Sequence, residues 1–115
     1  MIDEAAFDEL RSFGDDFLVE LVGQFTEETD ALLRQLRESF DAGDTTAVGR
    51  IAHNVRGSAG QLGGRALASA CDRVERNAIT GDPTGRAIDL RAVELEYGRL
   101  RLALAERLTF VGVAP

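Results

Sequence analysis

Between about residues 15 and 42, apolar side chains return every three or four positions as Leu18, Leu21, Val22, Phe25, Leu32, Leu33, Leu36 and Phe40, with Asp, Glu and Arg between them. That spacing predicts a helix with one buried face. The same rhythm runs through Val48, Ile51, Ala52, Val55, Ala59 and Leu62, and then through Leu67, Ala70, Cys71 and Val74. It returns in Leu90, Val93, Tyr97, Leu100, Leu104 and Leu108 at close to the 3.5-residue repeat of bundle helices. Helices are therefore expected over about 15–42, 45–61, 65–79 and 86–108, after a short one over about 4–13 whose Phe7, Leu10 and Phe13 face inward.

Punctuation between the runs agrees with these bounds. Asp3, Asp15 or Asp16, and Asp44 or Thr45 can cap helix starts, while Gly14 and Gly43 stop helices and Gly63-Gly64 makes a turn. Thr80–Gly85 is the clearest loop, because Pro83 pushes Asp82 out of helical geometry between two glycines. Short connections make consecutive helices antiparallel. The expected fold is all-α: an antiparallel up-down-up-down four-helix bundle with a short N-terminal capping helix, one domain over residues 1–115. Gly23 and Gly98 interrupt their helices, and close helix packing is the only role the pattern offers them; the tail Thr109–Pro115 is too short to classify.

Composition narrows the chemistry. The 115 residues are 44% hydrophobic, enough for one core, and few are β-branched. A net charge of −7 repels phosphate backbones and anionic lipid, and only Arg50, Arg56 and Arg73 make a modest basic patch. Neither nucleic acid nor a membrane is an expected partner. All 13 basic residues are arginine, which excludes a Schiff-base lysine and a Walker-type phosphate lysine, so no ATP-binding or hydrolytic activity is expected of the chain. Cys71 has no second cysteine to pair with and falls on an apolar helix face, where packing is its role. No basic region with an apolar run opens the chain and no apolar stretch approaches about 20 residues, so a cytoplasmic location is expected; the expected state is a monomer.

His53 is the sole histidine, and it lies opposite the apolar arc of its own helix, on the side of Gly49, Gly57 and Gly60. Three solvent-facing glycines within a helix cost roughly 3 kcal/mol relative to alanine. A structural histidine gains nothing from such bare surroundings. A nucleophile that must enter another protein's active site does. Metal ligation is disfavoured, because positions +3 and +4 are Arg56 and Gly57. A Ser-His-Asp hydrolase lacks support too, since Ser58 is not on the His53 face and no nucleophile elbow exists. Imidazole in water titrates near ~6.5, so an exposed ring is mostly neutral at cytoplasmic pH and can accept a phosphoryl group. Arg56, one turn on, can offer guanidinium donors to the phosphoryl oxygens.

The run His53-Asn54-Val55-Arg56-Gly57-Ser58-Ala59-Gly60-Gln61-Leu62-Gly63, with Ala52 before it, resembles the signature of histidine-containing phosphotransfer (HPt) domains of two-component phosphorelays. The likeness continues through Leu67, Cys71, Val74 and Glu75 and back into Phe17–Phe25. It implies that His53 is phosphorylated, that Arg56 stabilises the phosphoryl group and that Gly57 gives steric clearance. Arg56 stands where the family usually has lysine, which keeps the charge and replaces a point charge by a planar fork. Glu75 falls where relatives use a polar side chain to hold the ring. Folding the third and fourth helices back about Leu62 also brings residues near 72 to 75 beside His53. A solvated carboxylate is the alternative for Glu75.

The implied function is a phosphoryl carrier that accepts from the aspartyl phosphate of one response-regulator receiver and donates to another. It needs no cofactor of its own, because the partner receiver supplies the magnesium ion. Partners are receiver domains and a hybrid or chemotaxis-type histidine kinase, docking on the glycine-lined backbone and on exposed apolar residues of the first two helices. Two other readings compete: the phospho-accepting N-terminal domain of a chemotaxis-type histidine kinase, and a receiver-binding module that is never phosphorylated. A chain opening at Met1 favours the free-standing carrier.

Overall fold

The computed structural model describes residues 2–110, so of the tail only Thr109 and Phe110 fall within it. Five helices follow in order: α1 (Glu4–Arg11), α2 (Asp15–Asp41), α3 (Thr45–Gln61), α4 (Arg65–Asn77) and α5 (Pro83–Phe110). With an α-helical rise of 1.5 Å per residue, α2 and α5 each run about 40 Å, against about 25 Å for α3 and 20 Å for α4. The two long helices therefore overhang the short pair, and α1 covers the overhang. Phe7 is completely buried there. The all-α, antiparallel four-helix bundle with its N-terminal cap is the fold the periodicity predicted.

One core runs the length of the bundle. From α3 it takes Val48, Ile51, Ala52, Val55 and Ala59, from α4 Leu67, Ala70, Cys71 and Val74, and from α5 the six residues of the 3.5-residue repeat. The turn between α3 and α4 needs both of its glycines. Gly63 has φ +77°, and a Cβ there would meet the Asp3 carbonyl oxygen at 2.8 Å. That close approach lets the Asp3 N–H donate to the Gly63 carbonyl at 2.7 Å, fastening the start of α1 to the turn. At Gly64 a Cβ would meet Leu100 of α5 at 2.7 Å. The α3–α4 hairpin, which bears His53 and Glu75, is thus seated directly on α1 and α5.

Helix ends departed from expectation where local capping outweighed periodicity. α1 stops at Arg11, and the Ser12–Gly14 turn leaves Phe13 68% exposed instead of inward. Gly14, at φ +105°, is the N-cap of α2, so Asp15 and Asp16 fall in its first turn, where carboxylates favour the helix dipole. Asp44 caps α3 by accepting from the Ala47 N–H at 3.1 Å. α4 ends at Asn77, two residues early, with Ile79 exposed. α5 begins at Pro83 and not near 86: proline suits the first helical position, and the Asp82 carboxylate accepts from the Gly85 N–H at 2.6 Å. The loop is accordingly shorter than Thr80–Gly85. Gly23 and Gly98 do not mark close packing, since nothing lies within 4 Å of a Cβ at either; the structure gives no physical account of them.

Candidate functional site

The apolar arc of α3 is buried to 5% exposure or less at Val48, Ile51, Ala52, Val55 and Ala59. Helical geometry therefore turns His53 outward, and its side chain is 57% exposed. Gly57 and Gly60 are exposed on the same helix, and a Cβ at either would meet nothing within 4 Å. No neighbour among the described residues requires glycine at these positions. Gly49 is different: it is half-buried, and a Cβ there would contact the Ala78 methyl at 3.8 Å. It belongs to the seam between α3 and the end of α4, so the clearing around His53 is made by two glycines and not three.

α3 and α4 are antiparallel about the Gly63-Gly64 turn, and this brings Glu75 to His53. One Glu75 oxygen lies 2.8 Å from the imidazole Nδ1. An ionised carboxylate only accepts, so the pair is satisfied when Nδ1 carries the proton and donates it. That tautomer leaves the lone pair of the neutral ring on Nε2. The other Glu75 oxygen lies 3.4 Å from the Arg56 guanidinium. Glu75 is therefore part of a network and is not a freely solvated carboxylate.

Arg56 is one turn along α3 from His53, on the same face. Its guanidinium donates to the Asp72 carboxylate at 2.9 Å, and its second terminal nitrogen lies 3.2 Å from His53 Nδ1. Asp72 also holds Arg76 at 3.0 Å. Arg56 is thus shared between two carboxylates, which offsets the basic patch expected from Arg50, Arg56 and Arg73. Asp72 was missed in the sequence. The signal was available: Asp72 precedes Glu75 by three positions, so both carboxylates lie on one face of α4 opposite a histidine and an arginine spaced identically on α3.

Further off, Ser58 turns toward α2, where it lines a small cleft with Gln61, Leu21 and Gln24. It takes no part in the histidine network. Phe13 and Phe17 form an exposed aromatic pair at the junction of α1 and α2, ring centroids 5.3 Å apart. Cys71 is buried beside the site on α4, and burial pushes its thiol up to about 12, holding it neutral and unreactive. Among the described residues no three His, Cys, Asp or Glu side chains group as a metal site requires. No helix of those residues is long and apolar enough to cross a membrane.

Three comparisons place this geometry. A search of curated proteins by sequence returns no match. Among solved structures, histidine-containing phosphotransfer protein B from Pseudomonas aeruginosa superposes with a TM-score of 0.84 at 24% identity, covering 92% of each chain. Histidine-containing phosphotransfer protein ZmHP2 from maize gives 0.78 at 22% identity, over 93% of this chain and 86% of that one. The protein MtHPt2 from Medicago truncatula gives 0.76 at 18% identity, over 98% and 84%. These likenesses establish a shared fold. The family model for the Hpt domain matches residues 20–108, a span that includes His53, Arg56, Gly57 and Glu75, and the chain therefore belongs to the Hpt domain family.

Proposed function

We propose that the chain works as a phosphoryl carrier in two-component signalling, with His53 as the phosphorylated residue, accepting from the aspartyl phosphate of one response-regulator receiver and donating to another. Membership of the Hpt family supports the relay role. The observation that carries the assignment to His53 is the open space around an outward imidazole: two glycines that nothing among the described residues requires. Such a clearing has a use only when a second protein approaches.

The chemistry follows from the ring's hydrogen bond. The Nε2 lone pair attacks phosphorus, an Nε2–P bond forms, the P–O bond to the partner aspartate breaks, and its electron pair leaves on the aspartate carboxylate. The ring becomes cationic, still carrying its Nδ1 proton, and the Glu75 carboxylate 2.8 Å away balances that charge. In the reverse sense the same contact keeps the proton on Nδ1, so that the Nε2–P bond breaks with its electron pair returning to Nε2 and the ring leaves as neutral imidazole. Arg56 lies near enough to turn its donors to the phosphoryl oxygens, and Gly57 keeps the approach clear.

This chain supplies a presented nucleophile and no ATP chemistry. The receiver brings the magnesium ion and the acidic pocket that activates its own aspartate. Docking runs over Gly57 and Gly60 toward α2 and the Phe13–Phe17 pair, whose exposed rings fit an apolar patch on a partner. A hybrid or chemotaxis-type kinase is the source of the phosphate upstream, and the carrier acts as a monomer in the cytoplasm.

The test is transfer of radiolabelled phosphate from a phosphorylated receiver. Wild type becomes labelled through an acid-labile bond, and His53→Gln does not. Labelling of His53→Gln to the wild-type level overturns the assignment. Labelling of wild type by a kinase core and ATP with no receiver present favours instead the substrate domain of a chemotaxis-type kinase.

A further inference from the structure

We infer that Asp72 is a positioning residue that sets which nitrogen of His53 is the nucleophile, by competing with the imidazole for the Arg56 guanidinium. The inference rests on His53 being the phosphorylated residue and concerns how its reactive form is selected.

Two groups converge on the same ring nitrogen and ask opposite things of it. Glu75, 2.8 Å from Nδ1, can only accept, so it favours a proton on Nδ1 and leaves Nε2 free. Arg56, 3.2 Å from Nδ1, can only donate, so it favours a bare Nδ1 and places the proton on Nε2. The second tautomer is the one a histidine side chain prefers in water, and its outer nitrogen has no lone pair with which to attack. Arg56 therefore opposes the reactive form whenever it engages the ring.

Asp72 changes the balance. It takes the Arg56 guanidinium at 2.9 Å, closer than either the Glu75 contact at 3.4 Å or the ring contact at 3.2 Å. The Asp72 carboxylate is itself held through its other oxygen by Arg76 at 3.0 Å. With Asp72 neutralised, the anionic partner left to Arg56 among the described residues is Glu75. Closing that pair draws the Glu75 carboxylate off Nδ1 and tightens the guanidinium's existing 3.2 Å contact with the ring. Both movements favour the tautomer protonated on Nε2.

With one histidine in the chain, a two-bond proton–nitrogen correlation spectrum of uniformly labelled, unphosphorylated protein reports the tautomer without ambiguity. Wild type shows the proton on Nδ1. Asp72→Asn shifts the population toward Nε2–H, and its rate of labelling by a phosphorylated receiver drops on the order of tenfold, following the reactive fraction. Asp72→Asn combined with Arg56→Ala returns the spectrum to Nδ1–H, because the competing donor is gone. An unchanged spectrum in Asp72→Asn, a shift that persists without Arg56, or a wild-type ring already protonated on Nε2 overturns the inference. The spectrum is independent of phosphoryl transfer, so failure of wild type to accept phosphate counts against the carrier function and leaves the assignment of Asp72 standing on its own result.

Discussion

Two places in the molecule use the same three parts. On α3 and α4, His53 meets Glu75 at 2.8 Å and Glu75 lies 3.4 Å from Arg56; on α2 and α5, Tyr97 meets Asp30 at 2.6 Å and Asp30 lies 3.6 Å from Arg101. A polar ring, a carboxylate and an arginine make each. What differs is the environment. The Tyr97 residue is 7% exposed, its ring packs edge-on against Phe25, and its hydroxyl has the Thr26 carbonyl 3.1 Å away as well. Its one proton is fully engaged, and the set clamps α5 to α2. The His53 side chain is 57% exposed and its second nitrogen is left over. Contact chemistry alone does not separate a clamp from a reactive centre; an unused valence facing cleared space does.

The comparison breaks most sharply at Gly57, where the open space can be filled. Gly57→Gln places a long side chain over the approach to His53, and transfer from a phosphorylated receiver falls by at least ~100-fold, as for other misplaced reacting pairs. Stability to urea does not fall, and rises by up to about 1 kcal/mol, because a solvent-facing helical glycine has been removed without a clash. Wild-type transfer by this variant means the clearing has no function.

The opposite signature belongs to Tyr97→Phe. Losing the buried hydroxyl leaves Asp30 without its donor and costs about 1–2 kcal/mol in urea, while transfer stays within about twofold of wild type. Burial first, and then the hydrogen bond to Asp30, raise the phenol above its ordinary 10.0. The neutral phenol is therefore the form the fold favours. Its contribution is complete below pH 10, where the unfolded phenol is also neutral, and is lost as pH climbs above that value. With one tyrosine in the chain, tyrosinate ultraviolet absorbance follows this directly, and a native rise centred at 10.0 contradicts the clamp.

Both regions were legible in the sequence to different depths. The apolar arc of α3 and the Gly63-Gly64 turn are local signals, and together they put His53 outward and residues near 72 to 75 beside it, while Glu75 itself was singled out by the family resemblance. Helix ends were harder, because capping by Gly14 and Asp82 depends on backbone geometry that periodicity does not carry. Phe13 read as core because its spacing from Phe7 and Leu10 is helical, yet the helix had already stopped. Asp72 and Asp30 escaped for a common reason: each is a charged residue on a helix rich in charge, and only the pairing across helices singles it out. Gly49 was grouped with the clearing by angle along α3, which cannot reveal that Ala78 lies opposite.

The smallest effects come from the same conservative change made in both sets. Glu75→Gln keeps an oxygen that can accept from His53 Nδ1 but removes the charge that balances the ring cation during transfer. Transfer slows a few-fold, and urea stability stays within about 0.5 kcal/mol, since the ring it holds is 57% exposed and keeps an acceptor. Asp30→Asn keeps an acceptor for Tyr97 but replaces the charged partner of its buried hydroxyl by a neutral one, so it acts on stability by about 1 kcal/mol and leaves transfer unchanged. Equal chemistry removed from two like constellations thus registers in two different assays. If both substitutions register only as stability, Glu75 is a second clamp, and the distinction between the two sets disappears.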